Sequence, residues 1–314
     1  MKKYFKRKRL IIYSIVLLAV VIGSGVYSDI SVEELKKDYA NSASQFVEID
    51  GMQVHFRDEG EGVPIVLIHG TASSLHTWDE WTKELIKNYR VIRMDLPAFG
   101  LTGPNATRDY SIASYTKFLN DFLVSQKIDS FHLAGNSLGG NIAWNYALEY
   151  SEKVNKLVLV DASGIPMTDS TPWVFKMART PVVNQGFLYY TPRFFIKKNM
   201  EEVYADDSKI TDELITRYHK LALREGNRQA FIDRAQLDSS EDSIVTIQRL
   251  QQIPHPTLLI WGDKDLWIPV SHGKAMDANI PNSYLEIIEN SGHVPMEENP
   301  KESVGLLKMF LQKI

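Results

Sequence analysis

The stretch Phe131-His132-Leu133-Ala134-Gly135-Asn136-Ser137-Leu138-Gly139-Gly140 decides how this chain is read. It is a short apolar strand that runs straight into a glycine turn. A helical pattern follows to about residue 150, with Ile142, Ala143, Tyr146 and Ala147 at helix-like spacing. Gly135 and Gly139 flank Ser137 at minus two and plus two, the G-x-S-x-G pattern. A serine at such a strand-to-helix corner is held in a strained backbone conformation with its hydroxyl exposed. Neighbouring chain crowds the turn, so side chains are poorly tolerated at the two flanking positions. The helix that starts there points its positive end at any negative charge developing beside it. Alone, the pattern also fits a serine that merely caps a helix, and the rest of the chain must choose.

Outward from this corner, strands alternate with helices. Residues 46–49 and 52–56 read as two strands joined by Asp50-Gly51, a hairpin signal. Residues 64–68 form a continuous apolar run, as expected of a strand buried on both faces. A helix near 78–87, a strand at 89–94 and a helix over 111–127 lead into the corner strand. A further strand at 156–160 follows the corner helix. The pattern resumes with strands at 257–261 and 284–288 and helices at 270–279 and 300–311. Such alternation predicts the α/β class: a mostly parallel central sheet with helices on both faces. The chemically capable residues fall at the carboxyl ends of the strands, where ligands bind in such sheets. Residues 163–243 break the alternation. They are helical in pattern and aromatic-rich, too long for a loop, and read as an inserted helical cap over the strand ends.

The N-terminus carries Lys2, Lys3, Lys6, Arg7, Lys8 and Arg9 before an uncharged apolar run at 10–27. Eighteen apolar residues lie at the lower limit for a bilayer-spanning helix. The basic flank predicts a cytoplasmic start with the rest of the chain outside. Residues 1–28 are therefore expected to be a basic tail and signal-anchor, residues 29–45 a spacer, and residues 46–314 the catalytic body. The rival is a signal peptide cleaved near Gly23-Ser24-Gly25, which would make the protein secreted. Without the six basic residues, 29 Lys and Arg face 39 Asp and Glu, so the remainder carries about −10. That balance leaves no footprint for nucleic acid. The absence of cysteine excludes disulfides, thiolate metal sites and cysteine nucleophiles.

From about residue 46 onward the chain resembles the α/β-hydrolase fold family. The motifs that carry the resemblance are His69-Gly70-Thr71, Asp95-Leu96-Pro97-Ala98-Phe99-Gly100, Gly135-Asn136-Ser137-Leu138-Gly139-Gly140, Trp261-Gly262-Asp263-Lys264-Asp265 and Ser291-Gly292-His293. The commoner pattern has glycine where Ala98 stands. The resemblance implies Ser137 as nucleophile, His293 as its base and Asp265 as the orienting acid, in the chain order of this fold. Asp161, one strand earlier, competes with Asp265 for that role. Asp263 is expected to hold its turn, and His69 to pack around Gly70. His55, His132 and His255 have no catalytic context. The backbone amides of Thr71 and Leu138 would form the oxyanion hole. No metal or organic cofactor is implied.

The activity this implies is hydrolysis of carboxylic esters with apolar acyl or aryl groups, through an acyl-enzyme, with a small-molecule substrate. A carbon–carbon bond hydrolase or a cofactor-free haloperoxidase-like enzyme is the alternative, because Gly-Asn-Ser-x-Gly-Gly resembles those branches too. Carbon–carbon hydrolases often carry an aromatic residue after the histidine, where this chain has Val294. A binding protein that has kept the scaffold without the catalysis is the remaining reading. The oligomeric state is left open.

Overall fold

The computed structural model describes residues 7–9, 11–14, 16, 23, 25–166, 171–237 and 243–313. Half of the apolar run expected to be an anchor, residues 10–27, lies outside the described residues. Among those described, no helix is long and apolar enough to cross a membrane.

Eight strands form one sheet: β1 (Ser44–Ile49), β2 (Met52–Glu59), β3 (Val63–Ile68), β4 (Tyr89–Met94), β5 (Phe131–Asn136), β6 (Val154–Val160), β7 (Thr257–Gly262) and β8 (Ser283–Ile288). Their spatial order is β1-β2-β4-β3-β5-β6-β7-β8. The pairs β1–β2 and β2–β4 are antiparallel, the others parallel. The α/β class with a mostly parallel sheet therefore stands. The apolar run in β3 shows why. Successive side chains of a strand point to opposite faces. Ile65 and Leu67 join one core with Trp78, Trp81, Leu307 and Phe310. Val66 and Ile68 join the other with Phe118, Phe122, Ile142 and Tyr146. Neither face meets water, so the strand has no polar position.

Among the described residues, six α-helices lie between β6 and β7: Trp173–Arg179, Val183–Phe187, Arg193–Val203, Asp212–Ala222, Asn227–Gln236 and Ser243–Leu250. The segment expected to be a spacer behaves differently from that expectation. Helix Val32–Tyr39 lies on the body, with Leu35 buried against Leu101 and Leu221. Asp29 holds Arg228 through Nη2 at 2.6 Å, and Asp38 holds Lys220 at 2.7 Å. Ile30 exchanges backbone hydrogen bonds with Leu223 and Glu225. Three apolar residues on one face were enough to bury the helix, so it straps the cap to the sheet and is no free-standing spacer.

The loop after β8 is tied to the cap by Glu298, whose carboxylate is buried. It accepts the backbone amides of Gly292 (2.7 Å), Ala205 (3.0 Å) and Asp206 (2.8 Å). A glutamine here would turn an NH₂ group toward amide donors. Glu298→Gln should therefore cost about 1.5–3 kcal/mol, the scale of lost hydrogen bonds to a buried charge. Urea unfolding at constant m value checks this, and an unchanged midpoint would contradict it.

Candidate active site

Ser137 sits between β5 and helix Leu138–Glu149 with φ 54° and ψ −117°, a conformation open to few non-glycine residues. The glycine spacing has the steric cause expected of it. A Cβ at Gly135 would run into the Gly139 carbonyl. One at Gly139 would run into the Ile68 and His69 carbonyls, and one at Gly140 into Ala162. The corner can close only with these residues bare. The serine is pinned from both sides: its amide donates to the Val160 carbonyl (3.0 Å), and its own carbonyl accepts from the Ser163 amide (3.1 Å).

The turn after β3 packs directly on this corner. A Cβ placed on Gly70 would come within 3.0 Å of the Ser137 Cβ. His69 is fully buried and holds the turn. Its Nδ1 donates to the Gly70 carbonyl (2.7 Å), and its Nε2 accepts from the Leu96 amide (2.9 Å). Burial pushes its pKa down, which suits a neutral ring with one donor and one acceptor. The amides of Thr71 and Leu138 donate to no acceptor among the described residues. An oxyanion hole requires two uncommitted N–H groups beside the nucleophile. Ala98 takes φ 84°, the left-handed region that favours glycine, at the position where the commoner motif has one.

His293 is buried and is brought to the same corner by the backbone. Asn136, the residue before the serine, donates from Nδ2 to the His293 carbonyl (3.0 Å) and to the Val160 carbonyl (3.1 Å). The His293 amide donates to the Val203 carbonyl of the cap (2.7 Å). His293 Nδ1 donates to Asp265 Oδ2 at 2.7 Å. Asp265 Oδ1 accepts the amides of Trp267 (2.8 Å) and Ile268 (2.9 Å). With Nδ1 protonated toward the carboxylate, Nε2 is left bare to accept a proton. The Ser137 hydroxyl and His293 Nε2 share no hydrogen bond in this structure, a contact that often tightens only once substrate is bound.

Asp161, the competing acid, lies in the same cluster; one atom each of Asp161, Asp265 and His293 fall within 4.8 Å of one another. Asp161 Oδ1 accepts the Gly262 amide (2.9 Å), while Oδ2 is buried and meets no N–H or hydroxyl donor. Burial, and then the Asp265 charge, hold its carboxyl well above the usual carboxylate range. The folded chain therefore favours the neutral form of the Asp161 carboxyl over its carboxylate. A group neutral when folded but ionised when unfolded costs stability above its ordinary value of 3.8. Asn keeps the amide acceptor and supplies a donor toward Asp265. Asp161→Asn should therefore raise the melting temperature at neutral pH, with the gain vanishing as pH falls to about 4. A loss of stability at pH 7 would contradict this.

An apolar pocket lies against Thr71 and Trp267, and Ser137 and His293 are not among its lining residues. Thr71, Ala98, Phe99, Phe175, Phe187, Phe195, Phe231 and Trp267 line it, with empty space of about 800 Å³ including its open mouth. Trp267 also rests against the His293 ring, with centroids 5.6 Å apart. The sequence reading passed over Trp267, Asn136 and Glu298. Trp267 was signalled by its place two residues beyond Asp265 on a strand-end loop. Glu298 gave no signal, because it looks like any solvated glutamate.

Residues 63–300 match the model described as alpha/beta hydrolase fold. The chain belongs to this family. It is 30% identical over 290 residues to the 2-hydroxy-6-oxononadienedioate/2-hydroxy-6-oxononatrienedioate hydrolase 2 of Pseudomonas putida, covering 86% of this chain and 97% of that protein. It is 28% identical over 264 residues to the 2-hydroxy-6-oxo-6-phenylhexa-2,4-dienoate hydrolase of Burkholderia cepacia, covering 81% and 91%. Among solved structures it is similar to a putative lipase from Acinetobacter baumannii, with TM-score 0.73 and 25% identity, covering 91% of this chain and 97% of that one. As an α/β hydrolase, the chain is a hydrolytic enzyme, and the serine corner lies where this fold keeps its nucleophile.

Proposed function

We propose that the chain is a serine hydrolase that cleaves carboxylic esters of apolar acyl or aryl groups. Ser137 attacks the ester carbon while His293 Nε2 takes its proton. The Thr71 and Leu138 amides hold the oxyanion, and Asp265 orients the imidazole and stabilises it when charged. His293 returns the proton to the leaving alcohol, and water, activated by the same nitrogen, releases the acid. The observation that carries this reading is the buried His293–Asp265 pair, whose histidine carbonyl is held by Asn136, the residue next to Ser137.

Carbon–carbon bond hydrolysis is the second reading, favoured by the dienoate hydrolases among the relatives. A dienoate brings a carboxylate, which needs a cation to meet it. Arg228 is the cation among the described residues of the pocket wall; Asp29 takes its Nε (3.1 Å) and Nη2 (2.6 Å), while Nη1 is buried without a partner. Val294, not an aromatic residue, follows His293. The Asp29 pairing and Val294 favour a neutral ester, and Arg228 Nη1 is the donor that a dienoate carboxylate would have to use. A panel of p-nitrophenyl esters and ring-cleavage dienones tests the choice. The expected result is ester turnover with kcat/KM at least about 100-fold above that for the dienones, a difference of about 2.7 kcal/mol in transition-state binding. Dienone turnover above ester turnover would reverse the assignment.

The basic tail and the apolar run at 10–27 support a retained single-pass anchor with the catalytic body outside the cytoplasm. Secretion after cleavage near Gly23-Ser24-Gly25 is the alternative, and the N-terminal sequence of the mature protein decides between them.

A further inference from the structure

The anchor and the cap meet. The backbone at 25–27, the end of the apolar run, pairs with the cap at 189–191. Tyr27 donates its amide to the Tyr189 carbonyl (3.2 Å), Thr191 donates to the Gly25 carbonyl (2.9 Å), and Val26 bridges Tyr190. The cap around this point is apolar on the outside. Val26, Val182, Val183, Tyr189 and Phe194 are all exposed, Val182 at 84% and Tyr189 at 69%.

Charge sets the same region apart. Residues 171–200 hold Lys176, Arg179, Arg193, Lys197 and Lys198 and no acidic residue, in a body that is otherwise strongly acidic. Arg193 and Lys197 have carboxylate partners in Asp212 and Glu201. Lys176, Arg179 and Lys198 have none within 4 Å among the described residues, and Lys198 lies over the Trp173 ring. Exposed aliphatic and aromatic side chains interleaved with free cations match the boundary between headgroups and acyl chains. The inner faces of the same helices supply Val174, Phe175, Phe187, Phe195 and Ile196 to the pocket.

We propose that the outer face of the cap, built from Val26, Val182, Tyr189, Phe194, Lys176 and Lys198, docks on an anionic lipid bilayer. Ester substrates dissolved in that bilayer then enter the pocket between the cap helices. The inference rests on the anchor reading, because a run that ends at residue 27 brings residues 189–191 to the membrane surface. It narrows the substrate class to esters that partition into lipid. It does not depend on whether the bond cleaved is an ester.

The chain has no cysteine, so single reporters can be placed on the full-length protein. Val182→Cys, Phe194→Cys and, outside the cap in the helix Ile112–Ser125, exposed Val124→Cys are labelled with bimane. Each variant is reconstituted in phosphatidylcholine vesicles with and without phosphatidylglycerol, and quenching by spin-labelled lipid is measured alongside flotation. The expected result is quenching at 182 and 194 at least about threefold that at 124, deepened by phosphatidylglycerol. Reversing charge with Lys176→Glu and Lys198→Glu together should remove that deepening. Vesicles that float with the protein, but with labels at 182 and 194 quenched no more than at 124, would overturn the docking and leave the anchor standing. Failure to float would overturn both. Shielding of the labels that needs no lipid and rises with protein concentration would assign the patch to a second copy of the chain and overturn the lipid assignment.

Discussion

Ser137→Ala is expected to lower kcat on any accepted ester by at least about 10⁴-fold while leaving the fold intact. Removing the nucleophile of such a set removes the covalent path altogether, and what is left is the oxyanion hole and binding. Those parts sit on other atoms here: the Thr71 and Leu138 amides and the apolar pocket survive the substitution. KM should therefore change little. The alanine keeps the left-handed backbone at φ 54°, so melting temperature should stay within a few degrees. Steady-state kinetics with thermal unfolding as control checks both. A variant that keeps more than about a tenth of wild-type activity would remove Ser137 from the chemistry.

Asp265→Asn should cost about 10³–10⁴-fold in kcat, and its cause can be stated atom by atom. Oδ1 accepts two backbone amides, from Trp267 and Ile268. An asparagine keeps its oxygen there, which places the NH₂ group where Oδ2 now accepts His293 Nδ1. The imidazole must then present a bare Nδ1, so its proton moves to Nε2. A ring protonated at Nε2 cannot take the Ser137 proton. Asp161→Asn, by contrast, should keep kcat within about threefold, because Asp161 shares no hydrogen bond with His293 and burial already favours its neutral carboxyl. If the two variants exchange these outcomes, Asp161 is the orienting acid.

The parts of this picture legible in the sequence are those set by local sterics and by strand burial. Gly135 and Gly139 announce the corner because backbone carbonyls leave no room for a side chain there. The unbroken apolar run in β3 announces a strand with two covered faces. Long-range partners were not legible. Val32, Leu35 and Tyr39 mark one helix face but do not name Leu101 and Leu221 as what covers it. The role of Glu298 needs three amides from two distant segments to converge. The resemblance ranked Asp265 ahead of Asp161 by its position, with Asp161 left as competitor because both follow neighbouring parallel strands. The structure separates them by one contact: His293 Nδ1 bonds to Asp265, and no such bond reaches Asp161.

The covalent step is the claim on which the chemistry turns, and intact-mass analysis after a short incubation with a fluorophosphonate tests it. One adduct per chain is expected, mapped to the peptide that contains Ser137 and lost in His293→Ala. A wild-type protein that is folded but takes no adduct, or takes it elsewhere with Ser137 unmodified, would contradict the account.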